Sequence, residues 1–313
     1  MIEHSDKLVL RANELYFNLT GEDYEHATDE ILILEPPRWK AMIEKLIAIM
    51  PIKKRIILDI GSGNGFVATV LCPHLNEKDE FICLDVSSKM LDQCRLNLNG
   101  RGFNCKLIYK QYDGTRLPFE NESIDVVTLN SVLHHIFDPE VFLKEAGRVL
   151  KKDGYFIIGH EANSKFYKNK IIWTLYRILY LLFNPLSITD VLRRRGFLKE
   201  GRNLISEKYD KVTDKINDIL LSEGLIKERL SKFKIDKIIE YHSINGFDVD
   251  EINNYLNMAG NDFRLAYLET YNHLYEIFMN HYKNPLIFGL DKILGYLYPK
   301  DGKTMLLVFR KLK

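Results

Sequence analysis

The chain has no Cys-x-x-Cys pair and only four cysteines in 313 residues. Cys72, Cys83, Cys94 and Cys105 stand eleven residues apart, each in a different expected element. That spacing builds neither a zinc framework nor a disulfide scaffold, so no metal is expected and the thiols are read as structural, in a reducing cytoplasm. Net charge is just as sparse: 44 Lys+Arg against 43 Asp+Glu leave +1. Bulk charge therefore does not hold nucleic acid, and only a local basic patch could. The opening MIEHSDKLVL carries acidic residues and no apolar run, which predicts no secretory leader. What is present is ordinary globular composition, 46% hydrophobic and 28% charged. It excludes wholesale disorder and collagen-like repeats. The length fits one large domain or two modest ones.

From Arg55 to Ala162 short β-rich runs alternate with helical stretches. Arg55–Gly61 is a nearly continuous apolar run ended by glycine, as in a strand buried on both faces. Further strands are expected at Glu80–Val86, Asn104–Asp113, Ile124–Asn130 and Gly154–Gly159. Between them, helices are expected at Phe66–Leu75, Lys89–Leu98 and Pro139–Lys151, the last with proline at its first position. This alternation predicts an α/β, doubly wound, Rossmann-like and mostly parallel sheet. Ligands in such folds sit beyond the carboxyl ends of the strands.

The first strand delivers Asp59 and then Gly61, Ser62, Gly63, Asn64 and Gly65, with a helix at once behind. Glycine lets the backbone turn tightly and a ligand approach without meeting a Cβ. The spacing is G-x-G-x-G; a dinucleotide pyrophosphate uses G-x-G-x-x-G, and no Gly-Lys-Ser/Thr of a phosphate loop follows. The second strand ends in Asp85, twenty residues after the turn, where a carboxylate can accept from two ribose hydroxyls. The third ends in Asp113-Gly114, where an acid can accept from an exocyclic adenine amine. Either aspartate alone could simply cap a helix or turn.

In this combination the sequence resembles the class I S-adenosylmethionine-dependent methyltransferases, in their small-molecule, type 11 branch. ILDIGSGNG at 57–65, LDVS at 84–87, YDGTRLPFENESIDVV at 112–127 and the run 129–163 carry the resemblance. It implies S-adenosylmethionine as cofactor, with S-adenosylhomocysteine as product. The turn 61–65 would surround the methionine part, with Asp59 supporting it. Asp85 would hold the ribose, Val86 and Met90 would flank the adenine, and Asp113 would meet its amine. Asn130 would lie beside the sulfonium. Candidate bases are His134 and His135 after the fourth strand and His160 after the fifth, since an imidazole titrates near neutrality. Glu161 is expected to organise the pocket more than to act as base.

Residues 1–50 read as a helical cap, interrupted at Asn18–Asp29, from which Tyr16, Tyr24 and His26 could approach the acceptor. Residues 51–163 and 241–313 would form the cofactor-binding core, with Phe263–Thr270 and Met305–Arg310 closing a seven-stranded sheet and Tyr271–Leu297 helical between them. Residues 164–240 are a helical insertion with 17 Lys+Arg against 10 Asp+Glu, including Arg193, Arg194 and Arg195. Its stretch 171–186 is apolar nearly all round, too short to span a membrane. It would be a buried helix, a cover for a greasy acceptor that uses Trp173 and Arg177, or a helix on a membrane surface through 171–195. The expected activity is methyl transfer to a hydrophobic or anionic small molecule, on oxygen or nitrogen before carbon. A non-catalytic cofactor-binding scaffold is the alternative, and transfer RNA a minor one. The chain lacks the Asn/Asp-Pro-Pro-Tyr/Phe motif of base methylation, and the glycine spacing argues against a nicotinamide dehydrogenase.

Overall fold

The computed structural model describes residues 5–21, 29–48, 54–183, 204–243, 246–274 and 285–312. In chain order the helices used below are α1 (Asp6–Thr20), α2 (Asp29–Ile47), α3 (Phe66–Leu71), α4 (Ser88–Leu98), α5 (Pro139–Val149), α6 (Ser164–Lys168), α7 (Lys170–Phe183), α8 (Leu204–Ser222), α9 (Lys232–Ile239), α10 (Val249–Asn257) and α11 (Pro285–Leu297). The strands are β1 (Ile56–Ile60), β2 (Glu80–Asp85), β3 (Lys106–Gln111), β4 (Ile124–Asn130), β5 (Leu150–Ala162), β6 (Phe263–Tyr271) and β7 (Thr304–Lys311).

The strands form one sheet in the order β3-β2-β1-β4-β5-β7-β6. β1 to β5 pair in parallel, and β7 runs antiparallel to both neighbours. Helices cover both faces because the parallel strands are apolar on both sides. Trp39, Met42 and Ile43 of α2 pack with α3 and α4 on one face, and Leu143, Ile252 and Leu256 of α5 and α10 on the other. Local signals start the helices: Ser87 and Asp138 accept the Met90 and Val141 N–H groups as N-caps of α4 and α5. β5 is longer than expected and α5 ends at Val149, because Leu150 already pairs with Ile124 ahead of an irregularity in register.

The N-terminal helices divide between two environments. α2 belongs to the sheet core, whereas Leu8, Val9, Ala12 and Leu15 of α1 share a core with Ile216 and Leu220 of α8 and Ile235, Ile238 and Ile239 of α9. The Arg11–Glu223 ion pair at 2.6 Å adds a second tie, from α1 to the turn that follows α8. Between β6 and β7 the described helix is α11 alone; residues 275–284 lie outside the described residues.

Candidate active site

The turn after β1 is fastened to β2. Gly61 N–H donates to the Leu84 carbonyl at 2.7 Å, and Gly63 N–H to Asp85 Oδ2 at 2.9 Å. Gly61 has φ +66°, and a Cβ there would stand 2.5 Å from Val132 Cγ2, so only glycine lets the turn meet the segment after β4. The second Asp85 oxygen accepts from Ser87 N–H at 2.9 Å. Asp85 is 6% exposed, and burial pushes its carboxyl up to about 6 against the pull of these N–H donors.

Asp59 lies behind the turn, outside the cavity lining. Its Oδ1 accepts from Thr128 Oγ1 at 2.6 Å and its carbonyl from Ser62 Oγ at 2.8 Å. Oδ2 is buried without a hydrogen-bond partner. Burial raises this carboxyl to about 7, the Thr128 and Ser62 bonds lower it, and the Asp85 charge raises it further.

A cavity opens in front of the turn. Gly61–Asn64, Asp85, Val86, Met90, Tyr112 and Gly114 line one part, and Asn130, Ser131, Val132, His135 and Ile136 another. Leu10, Asn13 and Phe17 of α1 complete it. These three recur at helical spacing on one face of α1, while Leu8, Val9, Ala12 and Leu15 face α8 and α9. The sequence reading chose Tyr16, which instead lies among Val212, Ile216 and Ile235. The stripe at 10, 13 and 17 was the signal that could have found the lining residues. α1 is also held at its far end, where Ser87 Oγ donates to Asn18 Oδ1 at 2.7 Å. Two acceptors in the lining, Asn13 Oδ1 and Asn130 Oδ1, are buried with no hydrogen-bond partner.

Glu161 is fully buried and organises the far wall. Its Oε1 accepts from the N–H groups of Val132 at 2.8 Å and Leu133 at 2.7 Å, and its Oε2 meets His134 Nδ1 at 2.9 Å. Burial disfavours a charged His134, but Glu161, helped by Glu240, outweighs it and leaves the pKa raised. His135 is the reverse case: burial and the charge of His134 hold it well below the usual imidazole range. Its Nδ1 stands 2.7 Å from the Ile239 carbonyl, which can only accept, so Nδ1 carries the proton and Nε2 the lone pair. Ligand-type atoms of His134, His135 and Glu240 lie within 4.8 Å of one another, but Glu161 and the Ile239 carbonyl already take both Nδ1 atoms.

Several expected site residues lie elsewhere. Asp113 is exposed, and its carboxylate turns back to Thr115 N–H at 3.0 Å and Thr115 Oγ1 at 2.7 Å, which hold its pKa low. Such a local turn competes with reaching into the cavity, and Gly114 lines it instead. Gly65 caps α3 behind the lining. His160 has φ +54° at the register irregularity of β5, and its Nδ1 meets buried Glu35 at 3.0 Å. Glu35 also accepts from Tyr271 OH at 2.7 Å, and burial followed by that carboxylate pushes the phenol well up. Trp173 packs against Phe166 in a separate aromatic cluster, and Arg177 is exposed on α7. Tyr24, His26 and Arg193–Arg195 lie outside the described residues.

Residues 58–158, which hold the glycine turn, Asp85 and the Asn130–His135 wall, match the family model described as a methyltransferase domain. Over that stretch the chain matches a methyltransferase domain. Over 97 residues this chain is 34% identical to the demethylmenaquinone methyltransferase of Lactobacillus johnsonii, covering 31% of this chain and 40% of that protein. Over 138 residues it is 27% identical to the ubiquinone/menaquinone biosynthesis C-methyltransferase UbiE of Xanthomonas oryzae pv. oryzae, covering 44% and 54%. The chain thus spans about half the length of these relatives. A solved SAM-dependent methyltransferase from Aquifex aeolicus is similar with a TM-score of 0.44 and 14% identity, over 89% of this chain and 98% of that one.

Proposed function

We propose that the methyltransferase domain binds S-adenosylmethionine in this cavity and transfers its methyl group to a small, lipophilic acceptor. The observation that carries the reading is the Asp85 carboxylate, held at the end of β2 against the glycine turn in the lining of a mostly apolar cavity. The Asp85 carboxylate has lone-pair capacity beyond its bonds to the Gly63 and Ser87 N–H groups, which suits ribose hydroxyls. Val86, Met90 and Tyr112 supply apolar walls for a flat base.

When bound, the cofactor supplies a methyl group already carried by a sulfonium leaving group. The chain's own residues then have to align an acceptor and exclude water. α1 provides cover, backed by α8 and α9 of the expected 164–240 insertion, whereas α2 of the expected 1–50 cap belongs to the sheet core formed by 51–163 and 241–313. Neutral His135, which lines the cavity, is suited to accept a hydrogen bond from the acceptor through its Nε2 lone pair. An oxygen or nitrogen acceptor fits such a contact, and an activated carbon is what the names of the relatives support. The four free, buried cysteines support a cytoplasmic setting.

Incubation with methyl-labelled S-adenosylmethionine and a metabolite extract tests the reading. Label is expected in an organic-soluble small molecule and lost with His135→Ala. Tight cofactor binding with no labelled product from any fraction would favour the scaffold alternative, and label in the RNA fraction the transfer-RNA one.

A further inference from the structure

Of the fifteen large apolar side chains exposed among the described residues, ten lie on α7 and α11. The two helices share a core, where Ile172 and Tyr176 meet Ile287 and Leu294 around Phe166. Their other faces are just as apolar: Ile178 and Leu182 on α7 are 52% and 70% exposed, and Ile293 and Tyr296 on α11 55% and 85%. So dense a patch marks an interaction surface.

The charges on these helices all have one sign outward. α7 has no acidic residue, and Lys170 and Arg177 are exposed. On α11 Lys292 is exposed, while Asp291 turns inward and accepts the Leu274 N–H at 2.9 Å. An apolar face studded with cations is complementary to an anionic lipid surface. It suits a second copy of the chain poorly, because a two-fold contact would face cations against cations. Neither helix spans: α7 is about 21 Å long, and no described helix is long and apolar enough to cross a membrane.

We propose that α7 and α11 together form a docking face that lies on anionic membranes. The face widens the expectation for 171–195, since α11 comes from the far end of the sequence, and it is independent of the proposed methyl transfer.

Co-sedimentation of the full chain with phosphatidylcholine vesicles, with and without phosphatidylglycerol, tests it. Binding is expected to require phosphatidylglycerol and to weaken at high salt. Leu182→Asp/Ile293→Asp and, separately, Lys170→Glu/Lys292→Glu are expected to weaken it about tenfold or more, with S-adenosylhomocysteine affinity unchanged. The second pair alters only exposed charges, so it tests the face even if the first misfolds. No sedimentation with either vesicle overturns the proposal, as does binding that neither pair affects. A chain that is dimeric by light scattering, dissociates in the apolar pair and ignores vesicles assigns the face to a second copy instead.

Discussion

Glu161 and His134 meet at 2.9 Å across the ends of β5 and β4, while the other Glu161 oxygen takes the N–H groups of Val132 and Leu133. One buried carboxylate thus sets both the backbone and the imidazole beside the cavity. Ser131, just ahead, has φ +59°, a strained conformation for a non-glycine residue that this bonding helps to hold.

Removing that carboxylate is expected to be costly. Glu161→Ala should lose about 3–5 kcal/mol of stability, the range for breaking a buried ion pair. Glu161→Gln, which keeps one accepting oxygen, should lose less. Because the folded pKa of His134 is raised, its contribution is full below the unfolded value of about 6.5 and is lost as pH rises through the folded value. Urea unfolding from pH 6 upward should therefore show the gap between wild type and Glu161→Gln narrowing.

Asp85 links cofactor affinity to pH. Its carboxyl, held at about 6, has to be ionised to accept from two hydroxyls. Affinity for S-adenosylhomocysteine should be level above pH 7 and fall about tenfold by pH 5. Calorimetric titration across that range measures it, and Asp85→Asn should flatten the dependence.

Asp59 works in the opposite direction on stability. A folded pKa of about 7, above the unfolded value, favours the neutral form. Its favourable contribution is present below about pH 4 and is lost as pH rises through 7. Asp59→Asn should therefore gain on wild type as pH rises, by about 2 kcal/mol at pH 8.5. Thermal unfolding at pH 5.5 and 8.5 compares the two.

Leu10 of α1 packs against Gly114: a Cβ at Gly114, with φ +77°, would overlap Leu10 Cδ1. Gly114→Ala should strain the turn by about 1 kcal/mol, displace α1 and weaken S-adenosylhomocysteine binding. Leu10→Ala added to it should restore part of the loss, and a double-mutant cycle by calorimetry reads that coupling.

Much of the fold was legible in local pattern. Ile124–Asn130 was bounded to the residue, and the G-x-G-x-G turn and Asp85 stand where strand ends were expected. What local pattern could not show was long-range company. Asn13 and Asn130 meet in one cavity only because α1 lies across it, and His160 was drawn off by Glu35, which Tyr271 also holds from the last part of the chain. Asp113 was misplaced for a different reason, since its own turn to Thr115 satisfies it. Trp173 looked like a pocket residue because aromatic residues in an apolar helix read alike whether they face a ligand or one another.

The most direct measurement is calorimetric titration of wild type and Asp85→Ala with S-adenosylhomocysteine, with NAD as a control. Micromolar binding of S-adenosylhomocysteine alone is expected, weakened by about 1.5–3 kcal/mol in Asp85→Ala, the range for hydrogen bonds to a charged group. No binding to wild type, or equal affinity in the two proteins, would contradict the assignment of this cavity to S-adenosylmethionine.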